Sequence, residues 1–177
     1  MATYKKGFKK QNTEMLLLKT IVVVIVSVIL LVAVAFVYNS ITKWQDYKSY
    51  DQVENYADVF QMKDEAEVEL GNYVIYVYSD TCISCKENKN DILKIGNKLD
   101  ENVFFLLNSS TLATKDSENK TLPAYTSFLD TIGKDQIPTP MLVVVVNGNY
   151  EEIHVGPTAV INTLTSINEG TYEPFNE

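Results

Sequence analysis

The chain has 177 residues, 46% of them hydrophobic, and a formal net charge of −8 from 15 lysines against 23 acidic residues. Residues 39–177 alone hold 10 Lys and 22 acidic residues, a net charge of −12, which argues against nucleic acid or an anionic membrane surface as a partner of that region. With two Cys and one His there are too few ligands for a structural zinc site, and no metal or cofactor is expected.

Residues 1–19 form a basic tail, with Lys5, Lys6, Lys9, Lys10 and Lys19 opposed only by Glu14. From Thr20 to Tyr38 no residue is charged, and these 19 residues approach the roughly 20 that cross a bilayer core. The sequence therefore predicts one transmembrane helix over 20–38. The preceding lysines place the N-terminus in the cytoplasm and everything after Tyr38 outside it. Tyr38 and Trp44 suit the outer interface as aromatic anchors. Ala33-Val34-Ala35 resembles a signal-peptidase site, but the apolar run continues through Phe36 and Val37, so a retained single-pass anchor is expected. With no cysteine near the segment, a lipid-modified cysteine is ruled out there.

Residues 39–70 read as a juxtamembrane linker. Tyr47, Tyr50, Val53, Ala57 and Phe60 recur at spacings of three and four, which predicts an amphipathic helix. The acidic run Asp64–Glu69 reads as solvated, and Gly71-Asn72 as the turn before the first core strand. A domain is predicted over 71–170, in the order β-α-β-α-β-β-α. Its strands are 73–79, 103–107, 141–146 and 151–155. Its helices are 82–99, 122–132 and one that Thr158 caps and that runs to Asn168. Asn108–Thr121 is polar and reads as a surface loop, Asn147-Gly148 as a hairpin turn, and 171–177 as a loose tail. A parallel start followed by a hairpin implies an α/β mixed sheet with flanking helices.

Cys82-Ile83-Ser84-Cys85 lies directly after the apolar run Tyr73–Tyr78 and opens a helix. Unpaired amides and the positive end of the helix dipole favour a thiolate at the first cysteine, and the second lies one turn on. In physical terms this is a thiol–disulfide exchange centre. The alternative is an inert structural disulfide, but so small a ring closes little chain and stabilises little. The Ser84 hydroxyl is a candidate donor toward the Cys82 sulfur. Lys86 favours a thiolate, and Asp80 acts against it. Ile137-Pro138-Thr139-Pro140 precedes the strand at 141, in the place where a cis-proline opens a buried strand. Gly156 follows the hairpin.

Strand-CxxC-helix, then Ile-Pro-Thr before a strand, an Asn-Gly hairpin and Val-Gly resemble the thioredoxin superfamily across residues 71–169. The resemblance implies a thioredoxin-like fold preceded by the membrane helix. It implies that Cys82 attacks, that Cys85 resolves, and that Pro138 is the cis-proline packed against the disulfide. Ile137 then offers backbone bonds to an extended substrate, with Thr139, Ile83 and Ser84 completing the contact surface. It also marks departures: Thr81 replaces the usual Trp, Ile83-Ser84 replaces Gly-Pro, and Tyr76 stands where thioredoxins bury an Asp. The expected activity is thiol–disulfide exchange on exported cysteine-containing proteins, with a membrane redox partner or secretion-system components as further partners. The contrasting expectation is a non-enzymatic scaffold within a secretion, bacteriocin-export or conjugation apparatus.

Overall fold

A computed structural model describes residues 13–42, 46–64, 66–100 and 102–176. The chain divides into two compact units, 1–43 and 44–177. The Lys5–Lys10 cluster and Trp44 lie outside the described residues.

The first unit contains helix α1, Thr13–Thr42. Within it Glu14–Tyr38 is long and apolar enough to cross a membrane. The stretch starts before the predicted 20–38 because Met15–Leu18 are already apolar and Lys19 interrupts them alone. The hydroxyls of Thr20 and Ser27 donate back to the carbonyls of Leu16 and Val23 at 3.0 and 2.8 Å. Apolar surroundings require such internal bonding.

The second unit is built on strands β1 (Tyr73–Tyr78), β2 (Phe104–Asn108), β3 (Met141–Val146) and β4 (Asn149–Val155). The helices are α2 (Ile83–Gly96), α3 (Pro123–Ile132) and α4 (Pro157–Asn168). The sheet order is β2-β1-β3-β4, with β1 parallel to β2 and antiparallel to β3. This is the predicted element order and a thioredoxin-like mixed sheet. All six residues of β1 are buried because both faces of the strand are covered. Tyr73, Ile75 and Val77 face a core shared with α3, and Val74, Tyr76 and Tyr78 face one shared with α2 and α4.

Asn147 and Gly148 both take positive φ, 50° and 73°, as a two-residue hairpin of the favoured hand requires. Gly156 (φ 90°), not Thr158, is the N-cap of α4, and Pro157 fills the first helical position, where its missing N–H costs nothing.

Gly96 ends α2 against Phe104, and a Cβ there would lie inside the Phe104 ring. Gly96→Ala gains about 0.5–1 kcal/mol of helix propensity. Overpacking costs about 1–3 kcal/mol, so a net loss is expected. A thermal melt checks it, and a variant melting above the wild type would contradict the argument.

Two predicted segments differ. Residues 46–60 form no amphipathic helix. They make two 3-10 turns, Tyr47–Ser49 and Tyr56–Asp58, whose starts are held by the side chains of Asp46 and Asn55. Between the turns Val53 N–H donates to Leu106 C=O at 2.7 Å, and Leu106 N–H donates to Asp51 C=O at 3.0 Å. The segment thus lies along the outer edge of β2 and crosses from one sheet face to the other. Tyr47 and Tyr50 pack with the α2 side, and Val53, Tyr56 and Val59 are buried on the α3 side. Ala57, placed on the predicted apolar face, is exposed. The stretch is part of the domain rather than a linker.

The 171–176 tail is not loose either. Tyr172 and Phe175 pack on the α2/α4 core, and the Tyr172 hydroxyl donates to Glu152 Oε1 at 2.7 Å.

Candidate active site

β1 ends at Tyr78, and the chain turns through Ser79–Thr81 before α2 begins. That turn is pinned to the segment after β2. Ser79 and Ser110 hydroxyls are 2.8 Å apart, Asp80 N–H donates to Ser110 Oγ at 2.9 Å, and Asn108 Nδ2 donates to Asp80 Oδ1 at 3.1 Å. Cys82 is the N-cap of α2, and Cys85 N–H donates to its sulfur at 3.0 Å. A backbone amide therefore supplies the donor that the sequence assigned to Ser84, whose hydroxyl makes no hydrogen bond among the described residues.

Cys82 and Cys85 are joined in a disulfide with their Cα atoms 5.3 Å apart. The two cysteines differ in exposure: Cys82 is half-buried, whereas Cys85 retains only 1% of its surface. Cys85 is packed in the core shared with α2 and α4. Ile83 between them is 72% exposed.

The cis peptide lies at Thr139–Pro140, not at Ile137–Pro138. Pro140 is the residue directly before β3, where a missing N–H leaves no ladder bond unmade. Pro140 is buried, and its carbonyl accepts from Gly156 N–H at 2.9 Å. Pro138 sits two residues back, half-buried, and lines an open cleft with Gln136 and Val155. The residue before the cis-proline is therefore Thr139. Ile137 is half-buried and packs against the α3-side core.

Sheet register brings these parts to one end. Met141 pairs with Val77 in β1 and with Val155 in β4, so Pro140 lies beyond Val77 at the end of the sheet that carries the disulfide. Ile83 and Val155, at 72% and 46%, are exposed large apolar residues at this end. Pro140 has a signal in sequence, a proline abutting an uninterrupted apolar run. The tyrosines that share a core with Cys85 have none, because aromatic residues in strands read as core.

Tyr47, Tyr76 and Tyr78 pack in the core that also holds Cys85. The Tyr47 and Tyr78 rings are 4.0 Å apart and nearly parallel, and Tyr76 lies 6.0 Å from Tyr78. Lys89 Nζ sits 4.4 Å above the Tyr47 ring. Burial pushes the Tyr78 phenol up to about 12, with Tyr47 and Asp80 adding to the shift, and raises Tyr76 well above its ordinary value. All three are neutral hydrogen-bond donors at physiological pH.

No family model matches the sequence, and no curated protein matches it. Among solved structures, thioredoxin from Aeropyrum pernix is 20% identical, with 64% of this chain and 79% of that chain covered and a TM-score of 0.43. Thioredoxin O2 from Arabidopsis thaliana in the oxidized state is 15% identical, covering 69% and 93%, with a TM-score of 0.44. The C-terminal domain of Neisseria meningitidis DsbD in the oxidised form is 22% identical, covering 56% and 79%, with a TM-score of 0.38.

Proposed function

We propose that the protein is a membrane-anchored thiol–disulfide oxidoreductase that exchanges disulfides with exported, cysteine-containing proteins. The observation that carries this reading is the asymmetry of the Cys82–Cys85 disulfide, one cysteine half-buried at a helix start and the other fully buried. A client thiolate attacks Cys82 Sγ, a client–Cys82 bond forms, the Cys82–Cys85 bond breaks, and the electron pair stays on Cys85 Sγ. A second client thiolate then attacks the client sulfur of the mixed disulfide and expels Cys82, leaving an oxidised client and a dithiol; in the opposite direction Cys82 thiolate opens a client disulfide and Cys85 displaces the reduced client, closing the Cys82–Cys85 bond.

Ile83 and Val155 offer apolar contact to a client. Thr139, before the cis-proline, takes the part first given to Ile137, because its backbone N–H and C=O make no hydrogen bond among the described residues. Such groups recognise an extended segment with little demand on its sequence. The apolar stretch of α1 and the preceding lysines support anchoring by α1 with the domain on the extracytoplasmic side.

Trapping tests the reading. Full-length Cys85→Ser, expressed in its native membrane, acid-quenched and alkylated, is expected to show discrete mixed disulfides on a non-reducing gel. These disappear when Cys82 is also replaced by Ser. A clean lane from the trap, with the wild type fully oxidised, would instead favour a scaffold whose disulfide is silent.

A further inference from the structure

Exposed polar side chains in this protein bond locally. Among the described residues, exposed side-chain hydrogen bonds join groups no more than six apart in sequence, as Asn176 does to Gly170, except at two places. One is the hairpin, where Asn147 N–H donates to Asn72 Oδ1 at 2.8 Å. The other is the turn that leads into Cys82. There Ser110 Oγ accepts from Asp80 N–H and lies 2.8 Å from Ser79 Oγ, and Asn108 Nδ2 donates to Asp80 Oδ1, across 28 to 31 residues of sequence. Water competes for exposed hydrogen bonds, so such links add little to stability. What they fix is geometry.

The two sides of this clasp are each held. Ser110 N–H donates to Asn108 Oδ1 at 3.0 Å, and the Ser109 N–H and hydroxyl both donate to Tyr78 C=O, at 2.8 and 3.0 Å. Within the turn Thr81 N–H donates to Ser79 Oγ at 3.3 Å, and Cys82 N–H donates to Ser79 C=O at 3.1 Å. The chain of bonds therefore runs from the end of β2 to the backbone of Cys82. Cys82 has the extended conformation of an N-cap, φ −73° and ψ 111°, with its sulfur 3.0 Å from Cys85 N–H. A thiolate gains from that amide and from the positive end of α2 only while the turn keeps it at the helix start.

We propose that Ser110 and Asn108 are positioning residues for Cys82. They act through the 79–81 turn, not on the sulfur itself, and keep the attacking thiol where the helix favours its thiolate. This rests on the exchange reading and assigns to the segment after β2 control over the reactivity of that site. The charged groups of the turn and of the elements beside it are Asp80, Lys86, Glu87, Lys89, Lys134 and Asp135. All are retained in the variants below, and β1 and α4 carry no charge.

The test uses full-length protein in detergent carrying Cys85→Ser, which leaves Cys82 as the sole thiol and keeps the amide at position 85. Ser110→Ala, Asn108→Ala and the conservative Ser110→Thr are added singly, and iodoacetamide alkylation of Cys82 is followed against pH. Both alanine variants are expected to alkylate about tenfold more slowly at neutral pH, because less thiolate forms, and to match the parent above roughly pH 9, where an ordinary thiol ionises unaided. Ser110→Thr is expected to restore the parent profile, and the thermal melts of all four proteins to agree within a few degrees. An unchanged pH profile in both alanine variants would show the bonds to be a surface fastening and overturn the positioning role. A slowing by the same factor at every pH would also overturn it, since that is altered access rather than lost thiolate. Either result leaves the exchange reading standing, because that reading falls only if Cys85→Ser without the added substitutions traps no client.

Discussion

A polypeptide starting at Gly71, the boundary the sequence predicts, is expected not to fold, whereas one starting at Asp46 is expected to melt cooperatively. The shorter form lacks Val53, Tyr56 and Val59, which are 3%, 4% and 0% exposed. Each such side chain contributes roughly 1.5–3 kcal/mol on burial, so together they rival a typical domain's total of about 5–15 kcal/mol. Their loss also uncovers Phe128, strands Tyr73, whose hydroxyl donates to Val59 C=O at 3.0 Å, and bares the β2 edge at Leu106. An unpaired edge beside exposed core invites aggregation. Circular dichroism on the two forms checks this. A 71–177 fragment melting within a few degrees of the longer form would show the segment to be an ornament.

Raising the pH from 10 to 12 is expected to unfold the domain that holds the sheet in one step. Burial pushes the phenols of Tyr50, Tyr56 and Tyr78 up to about 12, and burial followed by the neighbouring Glu152 raises Tyr172 as well. These groups are neutral in the folded protein and ionise at about 10 when unfolded. Their contribution is therefore fully present below pH 10 and lost as the pH rises through their folded values. For a fully buried phenol such as Tyr56 the loss is on the order of 2–3 kcal/mol, and several titrate over the same interval. Tyrosinate absorbance and far-ultraviolet circular dichroism should change together. Gradual ionisation centred near pH 10 with ellipticity intact would refute the assignment.

The order of elements was legible because each strand carries its own evidence. Tyr73–Tyr78 and Met141–Val146 are apolar throughout, as strands covered on both faces must be. The cysteine pair was equally legible, since two residues three apart at a strand–helix junction need no distant partner to define them. The stretch long and apolar enough to cross a membrane is a matter of composition alone.

The N-terminal segment was misread for an identifiable reason. Spacings of three and four among Tyr47, Tyr50, Val53, Ala57 and Phe60 fit a helix, but Tyr47, Tyr50, Val53 and Phe60 also fit a strap that crosses a sheet edge and feeds two cores in turn. Only the presence of β2 selects the second, because Leu106 takes the backbone bonds that a helix would have kept for itself. The proline was misjudged similarly. Ile-Pro-Thr-Pro offers two candidates, and the start of the β3 ladder at Met141 selects Pro140.

Local patterning, then, determined the elements, the span and the position of the dithiol, since each depends on residues within one turn or one strand. Long-range pairing decided which segment closes the sheet edge and which proline opens β3. Those depend on groups far apart in sequence that meet only after the sheet has formed.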